Sequence, residues 1–546
     1  MKKINKRILV TPLLISAGIS LFPLNVNAEA VPDNTAAENA GWTRDAGKWK
    51  YINEKGDTLV GWHYVPEKNT PEKSDWYLFD SNGHMVAFRY SKPYEIFGTI
   101  IDEPKSDLKP AVIKNGWYEI DGKDGYYLDA TMTGDYRISK YSDGIRTYLD
   151  TAGMDKNGGK LPTNDKNSES TQKWWISTNH DGSYMFYNEA TGLLLTVDGD
   201  NLCGYRGTDK KNVNLKQAGA RPEYYGAAGD GVTDDTEAII RTINENNLVE
   251  FKKRYNTSET ITINKDNISL IGSDSGMIVT HPNFFTFRVK GKNVTFDGVN
   301  FMGSYTRNES SDYSCIDFRT EKDDEDVVDY NALINNCKFI NTGLRGIHIH
   351  SERVSKSDYT PLRIASNFTI KDCTFDGHKI GVCCSGPDNV VVDHCNFSNA
   401  YYEHITFDWR SRHCKAINNT FNGLEGGIGA IGVDSAEDIE IRGNDFYYSV
   451  LYGITLSSET RTNKNITIAD NTFTYTGGKA GVNFGTYGKN GASAEDVLIE
   501  NNTFNTKNSF SIAVYSAGKN VVFSGNKYNG NTPSVFDSSA QIVKDY

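Results

Sequence analysis

Nine variants of one short sequence lie between residues 294 and 528, among them ValThrPheAspGlyValAsnPhe (294–301), PheThrIleLysAspCysThrPhe (368–375) and IleThrIleAlaAspAsnThrPhe (466–473). Each variant is an alternating stretch, a small turn residue and a closing aromatic. The closing aromatics are Phe301, Phe339, Phe375, Phe397, Phe421, Phe446, Phe473, Phe504 and Tyr528, so the later steps are 22 to 31 residues long. A period of this size indicates stacked supersecondary units.

The alternation predicts a strand with one buried face in every unit. Two residues before each aromatic stands a second column: Val299, Cys337, Cys373, Cys395, Asn419, Asn444, Asn471, Asn502 and Asn526. Asn adopts the left-handed conformation of tight turns, and stacked Asn amides can hydrogen-bond between layers. A leucine-rich or helical repeat would need a leucine consensus or a 3.6-residue period, and neither is present. The sequence therefore predicts an all-β protein built on a parallel β-helix.

The bulk properties limit the function. At 546 residues the chain is expected to hold several modules, and its formal charge of −12 argues against nucleic acid or an anionic membrane as the main partner. Residues 1–28 have a basic start, an apolar run and a small-residue cleavage site, the pattern of a secretory signal peptide. No later stretch is apolar enough for a membrane span. We therefore expect a secreted protein.

Eight cysteines in a secreted protein suggest disulfides. However, Cys337, Cys373 and Cys395 share one column of the repeat, where a small buried residue fits. We expect buried free thiols, with bridges between rungs as the alternative.

Residues 41–130 form a second repeat, rich in Trp, Tyr and Gly, with GlyTrpHisTyr (61–64) as one of its units. The pattern resembles the cell-wall-binding repeats of Gram-positive surface proteins, which include choline-binding and glucan-binding modules. The resemblance implies noncovalent attachment to a choline-bearing teichoic acid or a glucan, since aromatic side chains can cage a quaternary ammonium or stack on sugars. The candidate wall-ligand residues are Trp42, Trp49, Trp62, Trp76 and Tyr77. The alternative for each is packing between hairpins.

Residues 131–215 read as a smaller β module, whose GlnLysTrp and AspGlySerTyr segments resemble part of a ricin-type β-trefoil, a carbohydrate-binding fold. From 217 to 546 the chain resembles the pectate lyase and polygalacturonase superfamily. Its entry motif is TyrGlyAlaAlaGlyAspGlyValThrAspAspThr (225–236). The resemblance implies a right-handed, single-stranded parallel β-helix. That superfamily contains hydrolases, lyases, epimerases and phage tailspikes, so it does not fix the reaction.

A third column locates the candidate site. In the strands 346–350, 381–385, 404–408, 430–434 and 453–457, alternate apolar residues point inward and their neighbours outward. The outward column is His350, Ser385, Asp408, Asp434 and Ser457, which predicts that Asp408 and Asp434 are neighbours. The superfamily resemblance implies that this face bears the active cleft.

Two close carboxyl groups can divide acid and base work, because each raises the pKa of the other. We expect Asp408 and Asp434 to hydrolyse a glycosidic bond of a polysaccharide without a required cofactor, assisted by His350 and His404. The candidate substrate-binding residues are His348, Glu403, Arg410, Arg412, Trp409, Tyr402 and Glu425.

Three alternatives stay open. Similarity to Ca²⁺-dependent pectate lyases implies that Asp393, Glu403 and Asp408 bind Ca²⁺ for β-elimination. A uronate epimerase would use the same groove with a His or Tyr base. A noncatalytic adhesin would only present a sugar-binding groove, and the absence of the lyase and polygalacturonase catalytic motifs favours that class.

Overall fold

The structure is a computed structural model. It describes residues 40–86, 94–96, 99–101, 108–154, 157–207, 211–273, 275–304, 312–353, 360–424, 429–448, 451–475, 479–485, 493–506, 509–538 and 540–545. The segment predicted to be a signal peptide lies outside these residues. None of the described helices combines the length and the apolar character that crossing a membrane requires.

The prediction of a parallel β-helix is confirmed, because three parallel sheets run the length of the C-terminal region. Sheet A holds the closing aromatics in strands Asp230–Asp234, Arg254–Asn256, Met277–Val279, Asn300–Met302, Lys338–Ile340, Thr374–Asp376, Asn396–Ala400, Thr420–Leu424, Asp445–Tyr448, Thr472–Tyr475, Thr503–Thr506 and Lys527–Tyr528. Sheet B holds the alternating stretches in strands Leu248–Phe251, Ser269–Gly272, Thr295–Asp297, Val327–Asn335, Pro361–Lys371, Asp388–Asp393, Arg412–Ile417, Glu437–Arg442, Asn463–Ala469, Ala494–Glu500, Val521–Ser524 and Ile542–Asp545, with Glu352–Arg353 added at one side. Sheet C consists of Ile261–Ile263, Phe287–Val289, Ser314–Arg319, Arg345–His350, Ile380–Ser385, Glu403–Asp408, Gly429–Asp434, Tyr452–Ser457, Ala480–Phe484, Phe510–Val514 and Ser534–Val535.

Each rung passes through sheets B, A and C in turn, and its inward side chains build one continuous core. The closing aromatics form the clearest part of that core. From Phe301 to Phe504 the successive rings stack with centroids 4.6 to 5.1 Å apart. This separation matches the spacing of paired strands, about 4.8 Å, so the period of the sequence becomes the rise of the helix.

The Asn column forms a buried ladder. The Asn444 side chain donates to Asn471 Oδ1 at 2.9 Å and to the Ala416 carbonyl at 2.9 Å, and neighbouring rungs repeat this pattern. The left-handed residue of each turn is the one before the ladder position, such as Asn418 (φ 56°) or Asp470 (φ 57°), and not the ladder residue itself. The ladder Asn therefore serves hydrogen bonding, and its neighbour makes the turn.

All eight cysteines are buried free thiols in the structure. In the ladder column the cysteines replace the Asn amides, and the Cys373 thiol donates to the Lys371 carbonyl at 3.1 Å. Cys occupies three successive positions of this column and Asn the five that follow, since both have short side chains that fit the corner between layers.

The N-terminal hairpins pair Gly41–Asp45 with Lys48–Ile52 and Gly61–Pro66 with Ser74–Phe79, and a short pair, Tyr94–Ile96 with Thr99–Ile101, follows. Their aromatic residues pack mainly on one another. Trp42 contacts Tyr77 with ring centroids 4.7 Å apart, and Trp62 packs beside Trp175 of the next module. Trp76 contacts Tyr64, and Trp49 lies under the Arg44 and Lys68 side chains. The role of these aromatic residues in binding a wall polymer remains a prediction.

Residues 109–218 form a second, mainly antiparallel sheet. Its strands are Lys109–Pro110, Gly116–Ile120, Lys123–Ala130, Tyr136–Ser142, Ile145–Leu149, Gly159–Lys160, Thr163–Asn164, Trp174–Thr178, Tyr184–Asn188, Leu194–Asp198, Asn201–Tyr205 and Leu215–Ala218, with a 3₁₀ turn at Ser170–Gln172. The expected boundary at residue 130 therefore falls between two paired strands.

This sheet packs on the first rung of the β-helix. Trp117 stacks on Tyr224 at 4.6 Å, within the 3₁₀ turn Pro222–Tyr225, and its indole N–H donates to Asn246 at 2.7 Å. The single α-helix described, Thr236–Glu245, closes the end of the core with Ile239 and Ile243. These contacts join the middle module to the end of the β-helix.

Candidate active site

A cleft of about 790 Å³ opens on the outer face of sheet C. Outward side chains of successive rungs form its floor, and segments on both sides of sheet C, such as those with Tyr402 and Trp409, form its walls. It is lined by Phe285, Asp312, Tyr313, Arg319, Arg345, His348, His350, Arg353, Ile380, Cys383, Ser385, Tyr402, Glu403, Asp408, Trp409, Gly432, Asp434, Thr455, Ser457 and Glu459. The cleft thus contains seven of the eleven catalytic and substrate-binding residues that the sequence predicts.

The strand register places Asp408 beside Asp434. Ser385 pairs with Asp408, and one residue before the two acids Phe407 pairs with Val433. Adjacent positions on paired strands are about 4.8 Å apart, so the two carboxyl groups can act on the same bond.

Both carboxyl groups resist ionisation. Burial, followed by the negative charge of Glu403, raises the pKa of Asp408 well above its ordinary value. Burial also raises the pKa of Asp434, but Asp434 Oδ1 accepts hydrogen bonds from the Glu459 N–H at 2.8 Å and from the Ser435 hydroxyl at 2.7 Å. These donors favour the carboxylate form, so Asp434 is the better base and Asp408 the better acid.

Glu403 adds a third carboxyl group. Its side chain is 7% exposed, and no hydrogen-bond partner for its carboxylate lies among the described residues. Burial, then the charges of Cys383 and Asp434, raises the pKa of Glu403 to about 8. The sequence predicted a substrate-binding role, but its position among acids also equips it to carry a proton.

His348 is held by a buried carboxylate. Its Nδ1 lies 3.2 Å from Asp317 Oδ1, and its Nε2 lies 3.3 Å from the Ser385 hydroxyl. Burial lowers the pKa of His348, but the neighbouring Cys383 and Asp317 outweigh it, and the pKa is raised. Asp317 stays charged because His348, Arg319 and Arg288 outweigh its burial and lower its pKa.

His350 is the neutral histidine of the cleft. Burial, and then the charge of His348, lowers the pKa of His350 to about 3, and its Nδ1 has no partner among the described residues. Its ring meets Trp409 edge-on at 6.2 Å, while Arg353 lies 4.5 Å over the Trp409 ring. His350 is therefore an unprotonated and weakly basic ring at neutral pH.

The arginines of the cleft differ from those predicted. Arg319, Arg345 and Arg353 line it, whereas Arg410 and Arg412 do not. Arg412 Nε instead pairs with Asp388 at 3.0 Å on sheet B, because the chain has already turned the corner after Asp408. The signal for Arg319 was present in the sequence: CysIleAspPheArg (315–319) has the same alternation as the strands that follow it.

His404 does not reach the cleft, contrary to the expectation that it assists catalysis. Its ring lies inside the β-helix beside Phe397 and Phe421, with Nδ1 3.0 Å from His378 Nε2. Burial lowers the pKa of His404 well below its ordinary value. Tyr402 and Trp409, which the sequence predicts to bind substrate, do line the cleft. Glu425 lies outside the described residues.

The predicted Ca²⁺ ligands are not brought together. Asp393 ends a strand of sheet B, where it contacts His394 Nδ1 at 2.6 Å and accepts a hydrogen bond from Asn418, while Glu403 and Asp408 face the cleft on sheet C. In the parts of the chain that the structure describes, no group of three His, Cys, Asp or Glu side chains is arranged to hold a metal. The lyase-type ligand set therefore does not fit this chain.

The fold and the cleft define a right-handed parallel β-helix protein with a carboxyl-lined groove. A family model described as "Right handed beta helix region" matches residues 286–473, and no protein of curated function matches the sequence.

Solved structures that are similar to this chain include two enzymes and a tailspike domain. An exopolygalacturonase of Thermotoga maritima is 13% identical with a TM-score of 0.45, covering 60% of this chain and 91% of its own. The A-module of a mannuronan C-5 epimerase of Azotobacter vinelandii is 14% identical with a TM-score of 0.41, covering 59% and 100%. The enzymatically active domain of tailspike protein 2 of bacteriophage CBA120 is 12% identical with a TM-score of 0.36, covering 77% of this chain. The present chain spans only 54% of that tailspike chain.

Proposed function

We propose that the cleft of sheet C cleaves a glycosidic bond in a polysaccharide by hydrolysis. The observation that carries this proposal is the convergence of Asp408, Asp434 and Glu403 from two neighbouring strands of sheet C onto one groove. Asp408 donates a proton to the leaving oxygen, and Asp434 acts as the base or nucleophile on the anomeric carbon. Its raised pKa keeps Asp408 protonated, as a general acid must be. The hydrogen bonds donated to Asp434 stabilise its carboxylate form, as a base or nucleophile requires.

The remaining cleft side chains suit a sugar polymer. Trp409 and Tyr402 offer faces on which sugar rings can stack. The three arginines of the cleft lie at the earlier rungs, and the three proposed catalytic acids lie at the later rungs. One end of the cleft is therefore lined by positive side chains and the other end by carboxyl groups. This polarity favours a substrate that carries an anionic group.

The test uses the purified full chain with a panel of neutral and acidic polysaccharides. New reducing ends and the absorbance of unsaturated uronates are followed together. Hydrolysis predicts reducing ends without that absorbance, and a loss of about 100-fold or more in Asp408→Asn and in Asp434→Asn. Asp393→Asn is the matched control, since it makes the same chemical change outside the cleft and should leave the rate unchanged. Binding without products in either channel would favour the adhesin alternative.

His350 supports a second candidate, β-elimination or epimerisation of a uronate. Its low pKa leaves the ring unprotonated, and its Nδ1 has no partner among the described residues. Arg319 and Arg353 lie nearby and can hold the uronate carboxylate. Such chemistry would give unsaturated products, or an altered uronate composition without cleavage. His350→Gln would then abolish turnover, whereas Asp434→Asn would reduce it less.

Secretion and attachment to a wall polymer belong to the same proposal. They rest on the pattern of residues 1–28 and on the aromatic repeats of 41–130. A pull-down of the full chain with choline-bearing and glucan-bearing walls tests the attachment. Free choline or glucan fragments should elute the protein if the repeats hold it.

A further inference from the structure

Cys383 differs from the other seven cysteines of the chain. All eight cysteines are buried, but Cys383 alone among them is a residue that lines the cleft. We propose that the Cys383 thiol is a modification site for hydroperoxides and other small electrophiles in the floor of the cleft. This proposal concerns the reactivity of one side chain and does not rest on hydrolysis.

Three residues in register form the basis of this reactivity. Asp317 pairs with His348 and His348 pairs with Cys383 on successive strands of sheet C. Asp317 Oδ1 lies 3.2 Å from His348 Nδ1, and His348 Nε2 lies 3.3 Å from the Ser385 hydroxyl. The His348 side chain also forms a hydrogen bond with Cys383. The Cys383 sulfur lies 3.9 Å from the Ser385 hydroxyl. A carboxylate, an imidazole and a thiol in this order form the arrangement that activates cysteine nucleophiles.

The charges around the sulfur favour the thiolate. Burial alone would raise the pKa of Cys383, but Arg345 and His348 outweigh it and lower the pKa to about 6. The titratable and charged side chains around Cys383 are Arg345 and His348 on one neighbouring strand and Glu403 and Asp408 on the other, with Asp317 and Asp434 one strand further on each side. Arg345 and His348 have the largest electrostatic effect on the sulfur after burial, so the thiolate is the favoured form at neutral pH.

The cleft also offers room and a polar surface for a ligand above the sulfur. Glu403 is 7% exposed, and its carboxyl group has no hydrogen-bond partner among the described residues. It borders the same cavity of about 790 Å³ as Cys383. A small hydrogen-bonding molecule such as a peroxide can therefore enter and meet both groups.

Cys383 and His348 supply the electrons and the proton that reduction of a peroxide requires. The thiolate sulfur of Cys383 attacks one oxygen of the peroxide, and the O–O bond breaks. The leaving hydroxide takes a proton from the imidazolium of His348 and departs as water. Cys383 is oxidised by two electrons to sulfenic acid, and the peroxide is reduced.

The neighbouring cysteine does not resolve this product. Cys384 points into the core on the opposite face of the strand and is fully buried. The sulfenic acid therefore stays in the cleft until a small thiol reduces it.

The test labels the native full chain with trace iodoacetamide, or with hydrogen peroxide followed by dimedone, and maps the modified peptides. We expect Cys383 to be modified first, with a rate that rises with a midpoint near pH 6 and levels off at higher pH. At pH 6 the rate of Cys383 modification should fall about 10-fold in Arg345→Gln and in His348→Gln, because each variant has a smaller thiolate fraction than the wild type. The fall is limited because a thiolate of higher pKa is also the stronger nucleophile. Two variants guard against a folding defect in either one, and each is checked by its melting temperature.

Cys383→Ser should remove the label, and Cys414→Ser, at a buried site on sheet B, should leave it unchanged. The proposal is overturned if Cys383 reacts no faster than Cys373 and Cys414. It is also overturned if both folded variants, Arg345→Gln and His348→Gln, keep the wild-type rate and pH midpoint.

Discussion

The carboxylate of Glu403 lies directly over Gly432 of the next rung, where an added Cβ would come within 2.6 Å of Glu403 Oε1. Gly432 occupies the outward position that is filled by Thr406 one rung before and Thr455 one rung after. The missing side chain makes the space in which the third carboxyl group of the cleft is buried.

Gly432→Ala should therefore destabilise the protein by about 1–3 kcal/mol, because the new methyl group and the carboxylate compete for one volume. Glu403→Asp shortens the opposing side chain, so Gly432→Ala/Glu403→Asp should recover most of the loss. Denaturant unfolding of the two single variants and the double variant measures this coupling. Additive effects would show that the two residues do not share this space.

The stability of the protein should depend on pH through Glu403. Its folded pKa of about 8 lies above the ordinary value, so between about pH 4.3 and 8 the folded state keeps a proton that the unfolded state has lost. Stability contributed by this group therefore falls as the pH rises through that range. The melting temperature of Glu403→Gln should fall less than that of the wild type between pH 5 and 8. Parallel curves would contradict the raised pKa.

Asp317→Asn should destabilise the protein by about 3 kcal/mol at neutral pH, because it leaves His348 and Arg288 beside a neutral group in a buried site. The folded pKa of Asp317 is lowered, so its stabilising contribution is present above the unfolded pKa of about 3.9 and is lost as the pH falls through the folded value. The difference between wild type and variant should shrink below pH 4. A constant difference down to pH 2 would exclude the charge as its cause.

Asn444→Ala should cost about 3 kcal/mol at any pH, since it removes two donated hydrogen bonds and leaves the Asn419 N–H without its acceptor at 2.8 Å. Asn529→Ala is the control, because Asn529 donates to Asn505 on the surface. Its effect should stay below about 0.5 kcal/mol. Equal losses in urea unfolding would mean that the buried ladder adds nothing specific.

The repeat in the sequence was sufficient to predict the three-sheet helix and the adjacency of Asp408 and Asp434, because alternation along a strand and pairing between strands have fixed periods. The same rule misplaced His404. It has the same parity as Asp408, but it stands at the corner where the chain enters sheet C, in register with Gly346 and Gly381, which face the Phe stack.

Two of the three cleft arginines, Arg345 and Arg353, could not be predicted, for a related reason. Arg353 comes from a short strand outside the repeat, and Arg345 stands at a corner, so neither follows the alternation. The pairing of Asp317 with His348 spans 31 residues that include a loop of irregular length. Such contacts depend on which rungs are adjacent, which is decided by the whole stack and not by local pattern.

The regular stacking of rungs fixes the distances between side chains along the cleft. From Arg319 to Asp434 the column passes through four steps between rungs, which corresponds to about 19 Å at the usual strand spacing. This length is set by backbone pairing and by the Phe and Asn columns on the other faces, and the loops between rungs do not enter into it. Insertions in those loops can therefore reshape the walls of the groove, and with them the choice of ligand, while the intervals between its charged groups stay the same.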